Sequence, residues 1–208
     1  MAKHVADADL KRFLGWIRKQ DLELSRRRFG WGNPVLNLID AVLSINRQYN
    51  SFVKPHVIGF REDYPNVTKL QQLKELIRKT GVSNFHNVWK YRHPDRVRIL
   101  SQLVDFFIAY KKKNGFPSDL EAMRHWANRP EPFHVKGIAL KTTQYLRMLI
   151  GYPTVKPDRH IHGVVFEALC EKRSDEEVIE LVKRAASKLK VRATVLDNEI
   201  WKLKANKA

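Results

Sequence analysis

Apolar side chains recur at helical spacing along most of the chain, and alternating strand patterns are scarce. The first predicted helix covers DADLKRFLGWIRK and starts after Asp7, which we expect to be its N-cap. Leu10, Phe13, Leu14 and Ile17 follow at intervals of one to four residues that keep them on one face of a helix. The chain therefore begins with an amphipathic helix.

Helix start and stop signals divide the rest of the chain. Pro34 suits the first position of a helix in PVLNLIDAVLSI, while Gly81 and Gly115 suit the residues that end two further helices. Capping boxes at Ser118…Glu121 and Ser174…Glu177 begin two more. The last predicted helix lies near RATVLDNEIWKLK, and the short apolar run FVKPHVIGF fits either a helix or a strand. About nine helices and no convincing strand predict an all-α fold.

The net charge points to a polyanionic partner. The chain has 39 Lys and Arg residues against 22 Asp and Glu residues, a formal charge of +17. Such a field attracts polyanions, and neutralising phosphates releases their counterions. Nucleic acid is therefore the first partner to consider and an anionic membrane surface the second. The alternative is that the positive charge only keeps the protein soluble and binds no partner.

Cysteine usage and hydropathy exclude several classes of protein. The single cysteine, Cys170, excludes a disulfide framework, a four-cysteine zinc site and an iron–sulfur cluster, and we expect it to be a small buried residue. No run of 18 apolar residues exists, so we expect no membrane span. The N-terminus lacks the apolar core of a signal peptide. We expect a cytoplasmic location, associated with the nucleoid if the source is prokaryotic.

A lysine stands at the border of an apolar helix face near the middle of the second half. A predicted helix from about Ile138 to Ile150 buries Tyr145, Leu146 and Leu149, and Lys141 falls one turn before Tyr145 at the edge of that stripe. Such a lysine is usually a snorkelling stem with its ammonium in water. A lysine partly removed from water is also a usable amine nucleophile. Both interpretations remain open on periodicity alone.

An aspartate precedes the next predicted helix. Asp158 lies three residues before Ile161, which begins a continuous apolar face, so we expect its side chain to cap His160 or Ile161 and to point inward. A carboxylate there could also stabilise positive charge that develops on a sugar. The glycine-containing turn from Lys136 to Ala139 would point backbone N–H groups toward a phosphate. An amine, a carboxylate and a phosphate site are what cleavage of an N-glycosidic bond requires.

These segments resemble the helix-hairpin-helix DNA glycosylase superfamily, nearest to its endonuclease III branch. The family pattern has a Leu-Pro-Gly-hydrophobic-Gly hairpin, a Lys-Thr pair, a Gly-aromatic-Pro helix end and a Val-Asp-x-His helix start. Here the corresponding text is VKGIALKT, IGYPTV and KPDRHIHG, with NLIDAVLSINRQ similar to the family's early Leu-Ser-x-Gln helix end. The resemblance implies a two-domain all-α fold. Residues 32–152 would form a six-helix barrel domain with the hairpin, and residues 1–31 together with 153–208 a second helical domain.

The resemblance also implies catalytic roles for two residues. Lys141 would attack C1′ of the damaged nucleotide as a Schiff-base nucleophile, and Asp158 would assist departure of the base and then strand cleavage. The target base must be flipped out, because the glycosidic bond is out of reach inside the stack. The implied function is base-excision repair by a DNA N-glycosylase with AP-lyase activity.

The DNA contacts implied by the resemblance lie in two segments. Gly137, Ile138 and Ala139 would offer hairpin amides to a backbone phosphate, with the Lys136 cation beside them. Asn46 would fill the gap left by the flipped base, a role that Arg47 or Gln48 would share because Asn46 is shorter than the family's Gln. Lys136 and Ala139 replace the family's Pro and second Gly.

We expect no metal and no cofactor, and a monomer that binds double-stranded DNA carrying a lesion or an abasic site. The family's iron–sulfur cysteines are absent, and His160 and His162 diverge on a helix. Trp31, Tyr49 and Phe133 are candidates for stacking a flipped base.

Two alternatives remain. In one, a monofunctional glycosylase uses water activated by Asp158, and Lys141 is a bystander. In the other, the chain is a non-catalytic helix-hairpin-helix DNA-binding protein. The base that is removed does not follow from the sequence.

Overall fold

The computed structural model describes residues 5–20, 22–24 and 29–205, and these residues are all helical or irregular. They contain eleven α-helices and one π-helix and no strand, so the predicted all-α fold is confirmed. In chain order the helices are α1 (Asp7–Arg18), α2 (Pro34–Leu43), the π-helix (Tyr49–Val53), α3 (Lys54–Asp63), α4 (Leu70–Thr80), α5 (His86–Trp89), α6 (Pro94–Asn114), α7 (Asp119–Asn128), α8 (Leu140–Leu149), α9 (Arg159–Leu169), α10 (Asp175–Lys188) and α11 (Ala193–Ala205).

The chain divides into two compact units. Gly30–Ile150 forms one of them, which we call the central unit. Met1–Phe29 and Gly151–Ala208 together form the other, which we call the discontinuous unit. No helix in the described ranges is long and apolar enough to cross a membrane.

Helix α2 is the core element of the central unit. Nine of its ten residues are buried, and it contacts α3, α4, α6, α7 and α8. A helix that is apolar on all sides needs such neighbours, since no face of it can be left in water. The ambiguous run FVKPHVIGF belongs to the π-helix and α3, and Val53, Val57 and Phe60 are buried there at helical spacing. The helical alternative for this run is therefore the correct one.

The discontinuous unit is built from its first helix and its last three. Helix α1 packs on α9 and α10, and α11 packs on both as well. Phe13, Val164, Val182, Leu196 and Ile200 are fully buried in the shared core. Residues of Val5–Ile17 and of Val155–Ile200 thus share one apolar core.

Several predicted helix ends are confirmed, and one is wrong. Pro34 is the first residue of α2, and Ser174 forms the full capping box of α10 with Glu177. Asp7 is not a cap, because the N-cap of α1 is Ala6 and makes no side-chain bond. The Asp7 carboxylate instead pairs with the guanidinium of Arg184, a residue of α10. The helix thus begins one residue earlier than predicted, and Asp7 lies in its first turn.

The expected burial of Cys170 is also wrong. Cys170 is exposed and ends α9 in a left-handed conformation with φ of +57°. That position is a surface turn, and the buried residue of the helix end is Leu169.

Candidate active site

The link between α7 and α8 contains a tight turn that is anchored on α6. The N–H of Ile138 donates to the carbonyl of Val135 at 3.1 Å, and Gly137 has a φ of +93° inside this turn. A Cβ at Gly137 would lie 2.9 Å from Cδ1 of Ile99, a buried side chain of α6. The backbone angle therefore favours glycine here, and a larger residue would also have to displace the end of the Ile99 side chain.

The turn leads directly into an uncapped helix start. Ala139 is the N-cap of α8 and has no side chain able to accept from the first amides of the helix. Lys136, Gly137 and Ala139 are exposed, whereas the Ile138 amide is already used inside the turn. Exposed amides at a helix start, beside a lysine, are suited to binding an anion.

Lys141 is the second residue of α8, and its side chain is exposed. The helix begins at Leu140 rather than near Ile138. Tyr145, Leu146 and Leu149 are buried as expected, but Lys141 itself is not drawn into their stripe. Lys141 is thus an exposed residue, in contrast to the partial removal from water that was expected.

A buried carboxylate of α2 binds a tyrosine of α8. Asp40 of α2 is fully buried, and its Oδ1 accepts from the hydroxyl of Tyr145 at 2.9 Å, one helical turn after Lys141. The indole N–H of Trp31 donates to Oδ2 of Asp40 at 2.7 Å, and the Tyr49 hydroxyl reaches the same oxygen at 3.3 Å. Charge-assisted hydrogen bonds of this kind stabilise a buried carboxylate and order the groups that donate to it. The network ties the helix that carries Lys141 to the core helix α2.

Both tyrosines of this network remain neutral at physiological pH. Burial is the first cause that raises the pKa of Tyr145 well above its usual value, and the negative charge of Asp40 is the second. Burial and then Asp40 raise the pKa of Tyr49 in the same way. Sequence reasoning missed Asp40, although an aspartate inside the apolar helix NLIDAVL is a signal of a buried polar site.

The three candidate base-stacking residues have different surroundings. Trp31 and Tyr49 are partly exposed, and their polar ends bind Asp40. The ring of Phe133 instead packs on Phe106 and Trp126, at centroid distances of 4.9 and 4.6 Å. Trp31 and Tyr49 thus have rings fixed by polar contacts, whereas Phe133 belongs to an aromatic cluster.

The segment after α2 presents a cation on an aromatic surface. Asn46, Arg47 and Gln48 are all exposed, and Asn46 has a left-handed φ of +55°. The guanidinium carbon of Arg47 lies 5.6 Å from the ring centroid of Phe52 and 5.5 Å from that of Tyr91. Its Nη2 also donates to the Tyr91 hydroxyl at 2.8 Å. Cation–π contacts and this hydrogen bond fix the orientation of an exposed charge.

A second arginine supports the same segment from α6. Arg96 donates from Nη2 to the carbonyl of Ile45 at 2.9 Å. Partial burial is the main cause that lowers the pKa of Arg96 from its usual value, and it remains a cation. The backbone just before Asn46 is therefore held in place by a hydrogen bond from α6.

Asp158 is the N-cap of α9 in the discontinuous unit, as its spacing predicted. Its Oδ1 accepts from the amides of His160 at 2.9 Å and Ile161 at 3.2 Å, and the residue is partly buried. Asp158 thus satisfies two of the backbone amides that the first turn of α9 leaves without a partner in the helix. Asp158 thus lies in the discontinuous unit, while the hairpin, Lys141 and Asn46–Gln48 lie in the central unit.

A second carboxylate lies close to Asp158. Asp197 of α11 is buried, and its Oδ1 accepts from the backbone N–H of Lys156 at 2.9 Å. Burial is the largest cause that raises the pKa of Asp197 well above its usual value, and the negative charge of Asp158 is the next. Sequence reasoning missed Asp197, although it falls on the apolar stripe formed by Ala193, Leu196 and Ile200. An aspartate on a buried stripe was the available signal.

His160 and His162 contact neighbouring side chains of the discontinuous unit. His162 Nε2 lies 2.7 Å from Oδ1 of Asp175, and the ring of His160 meets the edge of Trp201 at 6.3 Å. Among the residues that the structure describes, no group of three or more His, Cys, Asp or Glu side chains is arranged to hold a metal ion.

Comparisons with known proteins give one family match and one similar structure. A family model described as a domain of unknown function (DUF8548) matches residues 134–205, which include the hairpin, Lys141, Asp158 and Asp197. No curated protein matches the chain. The chain is similar to the crystal structure of a Methanocaldococcus jannaschii 8-oxoguanine glycosylase/lyase in complex with 15mer DNA containing 8-oxoguanine. The TM-score is 0.49 and the identity 14%, over 96% of this chain and 89% of that chain.

Proposed function

We propose that this protein is a DNA repair glycosylase of the helix-hairpin-helix superfamily that removes a damaged or mismatched base. One observation carries the proposal. Lys141, an exposed residue, lies in the first turn of an uncapped helix that follows directly after the Gly137 turn. This arrangement offers a phosphate site and an amine within one short segment, which suits a nucleophile that acts on the sugar–phosphate backbone.

In the proposed reaction Lys141 supplies the nucleophile and Asp158 the negative charge. The neutral amine of Lys141 attacks C1′, and the base departs with the electrons of the glycosidic bond and takes up a proton. The nitrogen gives up the proton that the base takes up, and its electron pair then expels O4′ from C1′. O4′ takes up the second amine proton, which leaves an imine between Lys141 and C1′. Loss of a proton from C2′ then expels the 3′ phosphate by β-elimination and cuts the strand. The Asp158 carboxylate would stabilise the positive charge that develops on the sugar.

Binding of double-stranded DNA by a monomer completes the proposal. The net charge of +17 supports a partner with many phosphates. Lys136 and the amides of Gly137 and Ala139 would contact one phosphate, with Ile138 closing the turn. Asn46, Arg47 and Gln48 would occupy the space left by the flipped nucleotide, since the Arg47 guanidinium is exposed and held by two aromatic rings.

The exposure of Lys141 favours a second candidate within the same class. An exposed lysine can serve DNA binding alone, because its charge attracts phosphates whether or not its amine reacts. In this candidate Asp158 activates a water molecule, the base is released without strand scission, and Lys141 only attracts DNA.

Borohydride trapping on a duplex with one abasic site tests the proposal. We expect a covalent adduct with the wild type that is lost in both Lys141→Ala and Lys141→Arg, because arginine keeps the charge but lacks a usable amine. Lys112→Ala is the matched control, since Lys112 is an exposed lysine of α6. No adduct from a wild type that binds the duplex would contradict the lyase step. Release of a base from a duplex that carries a lesion, without any adduct, would then support the water-activating candidate. DNA binding without either reaction would support a non-catalytic protein.

A further inference from the structure

The segment that leads to Asp158 has no regular secondary structure of its own. Residues 152–158 connect α8 to α9 without a helix, and Thr154, Val155 and Pro157 are buried within it. Its backbone is bound at one point by Asp197, which accepts the N–H of Lys156 at 2.9 Å. The carbonyl of the same residue, Lys156, accepts the N–H of Asp158 at 2.7 Å. A continuous set of hydrogen bonds thus joins Asp197 to Asp158 through one residue.

We infer that Asp197 is a positioning residue that holds the segment before α9 and thereby fixes the carboxylate of Asp158. The inference rests on the proposed function for its catalytic meaning, because Asp158 acts there as the charged group. The hydrogen bonds themselves do not depend on that function. Asp197 is buried on α11, which packs on α9, so its position is set by the core of the discontinuous unit.

The charge of the pair supports this role. Asp158 and Lys156 are the charged groups whose fields act on Asp197, and Asp158 raises the pKa of Asp197 while Lys156 lowers it less than burial raises it. Burial therefore lets Asp197 hold its proton to a higher pH than an ordinary aspartate does. While it holds that proton, Asp197 accepts the Lys156 amide without placing a second negative charge beside Asp158.

Amide hydrogen exchange tests the positioning without any need for catalysis. Asp197→Ala removes the acceptor of the Lys156 amide, so we expect faster exchange at Lys156 and, by about tenfold, at His160 and Ile161. Asp197→Asn keeps an acceptor oxygen and should restore exchange close to that of the wild type. Wild-type exchange at His160 and Ile161 in Asp197→Ala would overturn the inference. Equal defects in the two variants would overturn it as well.

Single-turnover base release tests the catalytic consequence in the same variants. We expect Asp197→Ala to be slower by about tenfold to a hundredfold, because a small displacement of a catalytic group is costly, and Asp197→Asn to recover most of the rate. Glu199→Gln is the matched control, since Glu199 is another buried carboxylate of α11 and pairs with Lys202. A wild type without any reaction would remove the proposed function, and the exchange data would still decide the positioning.

The pH dependence of stability gives a third readout. Between the ordinary aspartate pKa, about 4, and the raised pKa of Asp197, the unfolded chain has lost a proton that the folded chain keeps. The unfolded state then binds fewer protons, so the contribution of Asp197 to stability falls as the pH rises through this window. Asp197→Asn should lack this fall when melting temperatures are compared from about pH 4 to pH 9. Identical pH profiles in wild type and Asp197→Asn would show that the pKa of Asp197 is not raised in the folded protein.

Discussion

Substitution of Asp158 separates its capping role from its chemical role. Asp158 accepts hydrogen bonds from two backbone amides of α9. An asparagine side chain can accept them nearly as well, whereas alanine cannot. Loss of an N-cap costs about 1 kcal/mol, within a range of roughly 0.5–2 kcal/mol. For a chain of this length about 1 kcal/mol lowers the melting temperature by roughly 2–4 °C. We therefore expect Asp158→Ala to melt lower by that amount and Asp158→Asn to melt close to the wild type.

The expected rates follow a different order from the expected stabilities. A carboxylate that stabilises charge in the transition state contributes about 3–4 kcal/mol, so both variants should lose on the order of 100- to 1000-fold in single-turnover base release. Ser174→Ala is the matched control, because Ser174 caps α10 and its loss should lower stability without changing the rate. Single-turnover assays on a lesion panel, with thermal melting of each variant, give both quantities. If Asp158→Asn reacted at the wild-type rate, the carboxylate would be a cap and nothing more.

Three further predictions concern the central unit. Lys136→Ala should reduce the slope of log affinity for duplex DNA against log salt by about 0.9, and Lys112→Ala should not; equal slopes would show that Lys136 contacts no phosphate. Tyr145→Phe leaves buried Asp40 with one donor fewer and should lower the free energy of unfolding in urea by about 1–3 kcal/mol. A loss well under that range would mean that the other donors compensate. Gly137→Ala should cost about 1–2 kcal/mol, because φ is +93° and the new Cβ would meet the α6 side chain, and it should weaken DNA binding. Unchanged stability and binding would show that the turn relaxes freely.

Local signals were sufficient for most helices and for several of their ends. Pro34, Ser174 and Asp158 act at the predicted positions because capping and first-turn preferences depend on residues only two or three positions away. The apolar run at Phe52–Phe60 could not be assigned in this way. Its helical state is set by burial against neighbouring helices of the central unit.

The omissions concern contacts between residues that are distant in sequence, whereas two of the errors are local. Asp7 was expected to cap α1 but is its first residue, and Cys170 was expected to be buried but ends α9 at the surface. Periodicity placed Lys141 at the edge of a buried stripe. How much of such a residue is buried depends on which other elements pack beside it, and helical spacing does not identify them.

The sequence by itself determined the helical class, the charge and the candidate residues of the hairpin and of α9. Only the tertiary structure showed that Tyr145 binds Asp40 across 105 residues and that Asp197 holds Lys156 across 41. A buried carboxylate is stable only where folding brings donors to it, and those donors are distant in the chain. Side-chain periodicity therefore identifies where such a carboxylate lies, whereas packing decides which groups it holds in place.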